Sequence, residues 1–374
     1  MKVGVDARLL SRPLTGIGRY TLEMCRALLK IENIALYLYS PSPISDDVKA
    51  NLTGAHFREI NWRHGVLRQL WSESYLPLWA KKDEVDVFWG PSHRLPRFLP
   101  RSIPSVVTIH DLAWKYVSET MRSATYLLER LQMPYAVRSA DVVVADSQST
   151  ARALKLEYHL SSKQLLVIPL AATCTPSDIS FNMLAEYGIH APYFLFVGTL
   201  EPRKNLTRLL EAYALLPTEV KAQANLVIVG GKGWGDVNVA DEVTRLSLSE
   251  YVRLLGYVDE ELLSALYSHA EFLAMPSLYE GFGLPLLEAM VHGVPVLTAD
   301  NSSMPEVAGD AGLLVDAQNI HSIEKGLRQL ILNGELRGKL AENAKTNVAR
   351  FSWDSSARQL VSSFERAITY RRLA

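Results

Sequence analysis

The sequence lacks an apolar run long enough to cross a membrane, and it carries almost no net charge. Its 374 residues include 39 basic and 40 acidic side chains, a formal net charge of -1. This balance argues against a general nucleic-acid-binding protein, so any anion site must be local. No apolar run approaches the roughly 18 residues that a membrane span needs. Asp6 and Arg8 interrupt the first residues, where a secretion signal needs an apolar core. We therefore expect a cytoplasmic protein, in contact at most with the inner face of the cell membrane.

Cysteines and complete cofactor motifs are also scarce. The two cysteines, Cys25 and Cys174, form no metal-ligand pattern and fit a reducing compartment. No complete Gly-x-Gly-x-x-Gly fingerprint follows a predicted strand, which makes a dinucleotide-dependent oxidoreductase the least favoured class of enzyme.

Short apolar runs alternate with amphipathic stretches along most of the chain. Hydrophobic residues make up 48% of the sequence, enough for large cores, and the length suits two domains. The predicted strands are 3–5, 35–39, 85–89, 105–109, 142–145, 165–168, 193–197, 226–229, 252–255, 272–275, 294–298 and 312–315. Periodicity is lost between residues 171 and 189. Repeated strand-then-helix order predicts an α/β protein with two doubly wound parallel-sheet domains facing each other.

The most informative segment is residues 279–290, YEGFGLPLLEAM, in which seven residues separate two glutamates. Glu280 lies in a glycine-rich turn and Glu288 in a helix, whose first turn suits Pro285. The glycines allow close backbone approach, and the first N–H groups of a helix can meet an anion. The segment predicts a site for a phosphorylated sugar. The alternative is a helix cap with a surface glutamate, which gives the glycines no purpose.

A second segment, residues 196–206 (FVGTLEPRKNL), has an apolar strand that ends at Gly198 and a loop that carries Arg203 and Lys204. A phosphate in this loop would meet a helix N-terminus and two cations. A charge pair at about 4 Å gains roughly 4 kcal/mol at an effective dielectric constant near 20. Two such contacts can neutralise a departing diphosphate without a metal ion, and the sequence has no Asp-x-Asp triplet. The alternative is a solvated Arg-Lys pair.

Weaker signals follow two strands of the first half. His110 comes directly after the strand 105–109, and the carboxyl ends of parallel strands line ligand crevices. It is a candidate for orienting a sugar hydroxyl or for lying beside the reacting carbon, with Asp111 holding its tautomer. A structural His-Asp pair is the alternative. Residues 16–18 are glycine-rich and allow a substrate to approach the backbone, although a plain turn explains them equally well.

Basic and aromatic residues mix between residues 57 and 82. This mixture is compatible with a surface for anionic lipid headgroups, although its spacing favours ordinary helix burial. The residues concerned are Arg58, Arg63, Arg68, Lys81, Lys82, Trp62, Trp71 and Trp79.

Taken together, the two second-half motifs resemble the retaining glycosyltransferases of family 4, and most closely the mannosyltransferases that build bacterial O-antigen. The resemblance is strongest over residues 193–316, including the run NSSMPEVAGDAG at 301–312. It implies the GT-B fold, in which two doubly wound Rossmann-like domains face each other across a cleft. Residues 1–172, joined by a C-terminal helix at 355–374, would bind the acceptor. Residues 190–354 would bind the nucleotide sugar.

The same resemblance implies a role for each motif residue. Arg203 and Lys204 would hold the donor diphosphate, Glu280 would contact hydroxyls of the donor sugar, and Glu288 would bind the ribose. His110 would lie near the transferring sugar as a catalytic residue. The other positions carried over are the backbone amides of Gly281, Phe282, Gly283 and Leu284 for the donor, Tyr257 beside the base, and Gly16, Ile17 and Gly18 at the acceptor and phosphate.

The resemblance implies a metal-independent, retaining transferase that needs no cofactor beyond its nucleotide-diphosphate sugar. The expected reaction moves mannose from GDP-mannose onto a lipid-linked oligosaccharide or polysaccharide. Attack on the same face is favoured: the leaving diphosphate helps to deprotonate the acceptor, and Glu280 positions the sugar without acting as nucleophile. Two alternatives stay open, namely a nucleotide-sugar epimerase and a sugar-nucleotide-binding protein without catalysis.

Overall fold

The computed structural model describes residues 1–62, 65–161, 163–173, 177–190, 192–235 and 238–373, so Arg63 and Cys174 lie outside the described residues. The chain divides into two compact units. The first consists of Met1–Leu112, Ala124–Ala171 and Phe351–Ala374, and the second of Ala113–Ser123 and Ala172–Arg350. Each unit is therefore assembled from separate stretches of the chain.

The first unit is built on a parallel sheet, which has seven strands in the part of the chain that the structure describes. Its strands are β1 (Lys2–Asp6), β2 (Ala35–Ser40), β3 (His56–Glu59), β4 (Val87–Gly90), β5 (Ser105–Ile109), β6 (Val142–Ala145) and β7 (Leu165–Val167). They lie in the order β3-β2-β1-β4-β5-β6-β7. The order reverses between β1 and β4, which is where open α/β sheets form their ligand crevice.

The second unit is built on another parallel sheet, with six strands among its described residues. They are β8 (Tyr193–Val197), β9 (Asn225–Val229), β10 (Val252–Gly256), β11 (Leu273–Met275), β12 (Val296–Ala299) and β13 (Gly312–Val315). The order β10-β9-β8-β11-β12-β13 reverses between β8 and β11. The prediction of two doubly wound α/β domains is thereby confirmed.

Helices connect the strands in both units. They are α1 (Gly16–Leu29), α2 (Asp46–Ala50), α3 (Gly65–Glu73), α4 (Tyr75–Lys82), α5 (Ala113–Tyr116), α6 (Ser123–Ser139), α7 (Gln148–Tyr158), α8 (Leu206–Ala214), α9 (Thr218–Lys221), α10 (Val239–Arg245), α11 (Glu260–Ser268), α12 (Leu284–Val291), α13 (Met304–Ala308), α14 (Ile320–Leu332), α15 (Gly334–Val348) and α16 (Trp353–Leu373). Short 3-10 turns lie at Ser118–Thr120, Phe181–Tyr187, Pro202–Lys204 and Gly309–Ala311. None of these described helices has the length and apolar character to span a membrane.

The core of the second unit shows why its strands are continuous apolar runs. All five residues of β8 are buried, because helices must cover both faces of a parallel sheet. Phe194 and Phe196 share one face of β8, and the Phe194 ring stacks on Phe272 with centroids 4.9 Å apart. Helices α8 and α14 pack Leu209 and Leu327 into the same cluster. Each such side chain contributes about 1.5–3 kcal/mol on burial.

The last helix, α16, belongs to the first unit and packs on α1 and on β4, β5 and β6. Ser356 Oγ donates to the carbonyl oxygen of Pro169 at 2.6 Å, and the Phe364 ring lies 6.2 Å from Trp89. The first unit therefore contains both chain ends of the described structure.

Residues 113–123, which follow β5, belong to the second unit rather than the first. The Tyr116 ring stacks on Tyr279 with centroids 5.7 Å apart, and Trp234 Nε1 donates to the carbonyl oxygen of Thr120 at 2.8 Å. The predicted first domain runs unbroken from 1 to 172 and therefore includes residues 113–123, which the structure groups with the second unit.

The tryptophans between residues 57 and 82 form an aromatic cluster around α3 and α4. Trp71 is fully buried, its ring centroid lies 6.2 Å from that of Trp79, and Tyr75 packs edge-on against both Trp62 and Trp79. Arg58 pairs with the buried carboxylate of Asp83. These contacts support the interpretation of the segment as ordinary helix burial. Arg63 and the side chain of Arg68 lie outside the described part of the structure.

Candidate active site

Two loops meet where the strand order of the second unit reverses. One follows β8 and carries residues 198–205, and the other follows β11 and carries residues 276–283. The backbone N–H of Leu278 donates to the carbonyl oxygen of Arg203 at 2.9 Å. Asn205 Nδ2 donates to the carbonyl oxygens of Pro276 and Ala317 at 2.9 and 2.7 Å. Asn205 itself has φ 62°, in the left-handed region that asparagine tolerates. The first loop is therefore anchored on the second.

The charged side chains of the two loops form a buried ion-pair network. Lys204 Nζ lies 2.7 Å from Glu280 Oε1, and Arg203 Nη1 lies 2.7 Å from Glu280 Oε2. Arg203 also donates to the carbonyl oxygen of Tyr279 at 2.8 Å and, through Nη2, to Glu201 Oε1 at 2.7 Å. The structure thus brings Arg203, Lys204 and Glu280 together. It adds Glu201, which was not among the predicted site residues.

The pKa values of the two carboxylates in this network, Glu280 and Glu201, shift in opposite directions from their ordinary value. Burial alone raises the pKa of Glu280, but the charges and hydrogen bonds of Arg203 and Lys204 lower it to about 2. For Glu201, burial raises the pKa above its ordinary value, and the two cations only partly offset this. Glu280 is therefore ionised at neutral pH and can only accept hydrogen bonds.

The glycine-rich turn holds Glu280 at the start of α12. Gly283 precedes the helix with φ +99°, and a Cβ atom there would lie 3.1 Å from the sulfur of Met304. Pro285 occupies the first turn of α12, as the sequence predicts. Ser303 Oγ donates to the carbonyl oxygens of Glu280 and Phe282 at 2.9 and 3.0 Å. Ser303, which lies in the 301–312 run, therefore holds the backbone of the turn in place.

Glu288 lies one turn into α12 and is half-buried. Tyr267, on α11, donates its hydroxyl to Glu288 Oε2 at 2.8 Å. This hydrogen bond orients the carboxylate, and the motif around Glu288 does not indicate it, because Tyr267 belongs to another helix. Tyr257 follows β10, two strands away from β8, and is 72% exposed.

His110 follows β5 in the first unit, with both ring nitrogens engaged. Nδ1 pairs with the carboxylate of Asp146, and Nε2 lies 2.7 Å from the carbonyl oxygen of Pro91. Asp146, and not Asp111 as the sequence suggested, therefore holds this ring. The reason is that β5 and β6 are neighbours, so their carboxyl ends come together. Both partners are acceptors, so both ring nitrogens donate, and His110 is an imidazolium. Burial opposes this charge, but Asp146 and Pro91 raise the pKa of His110 above its ordinary value.

A second histidine fixes the backbone of the first. His93 Nε2 accepts the backbone N–H of His110 at 2.9 Å, so its proton must be on Nδ1. That nitrogen faces Glu129 Oε2 at 3.2 Å, and Arg94 Nη2 lies 3.7 Å from the other oxygen of Glu129. His93 is therefore the neutral Nδ1–H tautomer beside a charged His110.

Replacing Asp146 by asparagine (Asp146→Asn) is expected to lower the pKa of His110, because the carboxylate charge is lost and burial remains. The measurement is an NMR titration of the ¹⁵N resonances of the His110 ring. Asp111→Asn is the matched control, since Asp111 contributes a smaller charge effect than Asp146. An unchanged His110 titration in Asp146→Asn would show that Asp146 does not hold the imidazolium.

The glycine-rich residues 16–18 form the first turn of α1, after β1. Gly18 is buried, and a Cβ atom there would lie 3.3 Å from the side chain of Leu14, whereas Gly16 has open space around it. The Ile17 carbonyl oxygen accepts from Thr21 Oγ1 at 2.8 Å. The ring of Tyr20, also on α1, lies 4.8 Å from that of His110. The structure therefore brings α1 and His110 together at the carboxyl edge of the first sheet.

Among the described residues, no three His, Cys, Asp or Glu side chains lie close enough together to hold a metal ion. Arg203 and Lys204 supply positive charge where the loops after β8 and β11 meet. Metal independence stays a prediction.

Comparison with known proteins covers both halves of the chain. Residues 14–173 match the model of glycosyltransferase family 4, and residues 187–347 match that of glycosyl transferases group 1. The O-antigen chain mannosyltransferase B of Escherichia coli is 31% identical over 98% of this chain and 100% of its own length.

Solved structures of low sequence identity share the fold. The Anabaena protein HepE, solved in complex with UDP and glucose, superposes with a TM-score of 0.76 at 20% identity, covering 98% of this chain and 99% of its own. WaaG, a glycosyltransferase involved in lipopolysaccharide biosynthesis, gives a TM-score of 0.72 at 17% identity, covering 96% and 98%. With a relative of 31% identity along the whole chain and family models over both halves, this protein belongs to the family 4 glycosyltransferases and is a glycosyltransferase of the GT-B fold.

Proposed function

We propose that this enzyme transfers mannose from GDP-mannose, with retention of configuration, to a lipid-linked oligosaccharide or polysaccharide acceptor, as in O-antigen synthesis. The observation that carries the proposal is the convergence of Arg203 and Lys204 on Glu280, each at 2.7 Å. The choice of mannose and of O-antigen is supported by the similar Escherichia coli O-antigen mannosyltransferase. Family membership favours transfer over the epimerase and binding-protein alternatives.

The donor would be held by the second unit. Its diphosphate would lie on Arg203 and Lys204, and backbone amides at the start of α12, from Gly281 to Leu284, would add hydrogen bonds. Glu280 would accept hydrogen bonds from the sugar hydroxyls, because it is ionised. Glu288, oriented by Tyr267, would bind the ribose, and Tyr257 would lie beside the base.

The proposed step breaks the bond between the sugar C1 and the β-phosphate oxygen. A new bond forms between C1 and the acceptor oxygen on the same face, and the acceptor proton goes to the leaving diphosphate. Arg203 and Lys204 offset the charge that develops on that diphosphate, which is the reason for proposing metal independence. Glu280 stabilises the positive charge that develops at the sugar.

The first unit would contribute the acceptor side. Gly16, Ile17 and Gly18 would border the acceptor and the phosphate. His110 would lie near the transferring sugar, and because both of its ring nitrogens are held by Asp146 and the carbonyl oxygen of Pro91, it would not act as a base. We place the enzyme in the cytoplasm, in peripheral contact with the inner face of the membrane, because the lipid of its proposed acceptor is embedded there.

The test is transfer of radiolabel from a panel of nucleotide sugars, with and without a lipid-linked oligosaccharide acceptor and with and without a chelator. We expect GDP-mannose to label the acceptor in the presence of the chelator, and NMR to show an α-linked product. Conversion of the donor without acceptor would indicate an epimerase instead. A β-linked product would contradict retention, and loss of activity with the chelator would contradict metal independence.

A further inference from the structure

Glu201 is the member of the ion-pair network that the proposed reaction does not use. It is buried, and its Oε1 lies 2.7 Å from Arg203 Nη2. The backbone carbonyl oxygen of Glu201 accepts the N–H of Lys204 at 3.0 Å. The carboxylate is therefore built into the loop that carries both cations, and it shares the Arg203 guanidinium with Glu280.

The charges of the network balance before any donor arrives. Arg203 and Lys204 contribute two positive charges, and the carboxylates of Glu201 and Glu280, when both are ionised, contribute two negative charges. A nucleotide-diphosphate sugar brings two further negative charges to the same cations. Because uncompensated charge in a buried site is costly, the site gains from neutralising one carboxylate.

Glu201 is the carboxylate that can accept a proton. Glu280 is paired with both cations, with one oxygen on each, whereas the Glu201 carboxylate accepts a hydrogen bond from one of them, Arg203. The groups that act on Glu201 are Arg203 and Lys204 from its own loop and Glu280 from the loop after β11. A further cation, Lys232, lies on the loop after β9. Its backbone forms an isolated parallel β-bridge with Leu200, the residue before Glu201. A diphosphate on Arg203 and Lys204 would weaken their attraction for Glu201 and add to the repulsion from Glu280.

We propose that donor binding is coupled to the uptake of one proton from solvent by Glu201. Glu201 acts on the donor through Arg203 and is therefore a positioning residue. A protonated carboxyl group still accepts the Arg203 N–H through its carbonyl oxygen, so the guanidinium keeps its orientation while the charge of the site falls. This proposal rests on the proposed function, because it places the diphosphate on Arg203 and Lys204. It adds that donor affinity rises as pH falls, by up to about tenfold per pH unit for a one-proton coupling.

The coupling can be measured by titration calorimetry of the intact enzyme with GDP-mannose and with UDP-glucose, without acceptor. Measurements at one pH in buffers of different ionisation enthalpy give the number of protons taken up. We expect wild-type enzyme to take up as much as one proton per donor. Glu201→Gln is expected to take up none and to bind with little dependence on pH, since glutamine resembles protonated glutamate. Glu342→Gln, on the exposed surface of α15, is the matched control and should behave as wild type.

The donor KM gives a second measure of the same coupling. It should rise with pH in wild type and stay flat in Glu201→Gln, whereas a merely structural role would lower activity at every pH alike. Donor binding without buffer dependence in wild type would overturn the proton coupling and leave the transferase proposal standing. Failure of both nucleotide sugars to bind would overturn both proposals. The wild-type measurement decides the question even if Glu201→Gln does not fold.

Discussion

Replacing Glu280 by glutamine (Glu280→Gln) is expected to lower kcat by about 100- to 1000-fold while GDP still binds. Loss of one electrostatic contact to a transition state typically costs this much. The carboxylate, with its pKa of about 2, is fully charged and faces the sugar in the proposed complex. GDP affinity should stay the same or increase, because in the proposed complex Glu280 would compete with the diphosphate for Arg203 and Lys204. Initial rates at saturating donor and calorimetry with GDP measure the two effects.

The same substitution at Glu288 provides the contrast. Glu288→Gln is expected to raise the donor KM with a smaller change in kcat, since the proposed ribose contact would be equal in the ground and transition states. Glu280→Gln should also melt at a lower temperature, because breaking a buried ion pair costs about 3–5 kcal/mol when a charge is left unpaired. GDP should restore much of that loss. A near-normal kcat, or a glycosyl adduct trapped on Glu280, would contradict the assigned role.

Replacing Lys204 by alanine (Lys204→Ala) is expected to weaken GDP binding by about 10- to 100-fold. A hydrogen bond to a charged group contributes about 1.5–3 kcal/mol, and 1.36 kcal/mol corresponds to a factor of ten. Lys204 is buried and aimed at the site, so the loss is not screened by solvent as it would be on the surface. Calorimetry of GDP binding is the measurement.

Lys325→Ala removes the same kind of side chain from the exposed face of α14 and is the control. It should leave GDP affinity unchanged. The pKa of Glu280 should rise in Lys204→Ala, because one of its two cations is lost. Unaltered GDP affinity in Lys204→Ala would mean that the diphosphate binds elsewhere.

The sequence predicted the strands correctly where burial requires a run of apolar residues. Parallel strands covered on both faces are continuous apolar runs, and the predicted strands of the second half lie within one or two residues of β8 to β13. The strand β3, His56–Glu59, was not predicted, because its sequence HFRE has no apolar run and it lies at the edge of the sheet. The transfer of residues 113–123 to the second unit depends on contacts such as Tyr116 with Tyr279, far apart in sequence.

The candidate site was likewise predictable in its local motifs and not in the contacts between distant residues. Each motif by itself indicated an anion site, and the adjacency of β8 and β11 explains why the two motifs meet. The sequence did not indicate that Glu280 would bind both cations, or that Asp146 would replace Asp111 as the partner of His110. Those pairings depend on which strands are neighbours in the sheet. Local pattern does not carry that information.

The most direct test of the central claim is a crystal structure of this enzyme with GDP. We expect the β-phosphate oxygens to lie within about 4 Å of Lys204 Nζ and of the Arg203 guanidinium, with Glu280 displaced from at least one of them. GDP bound away from these two cations, with both still paired to Glu280, would contradict the account.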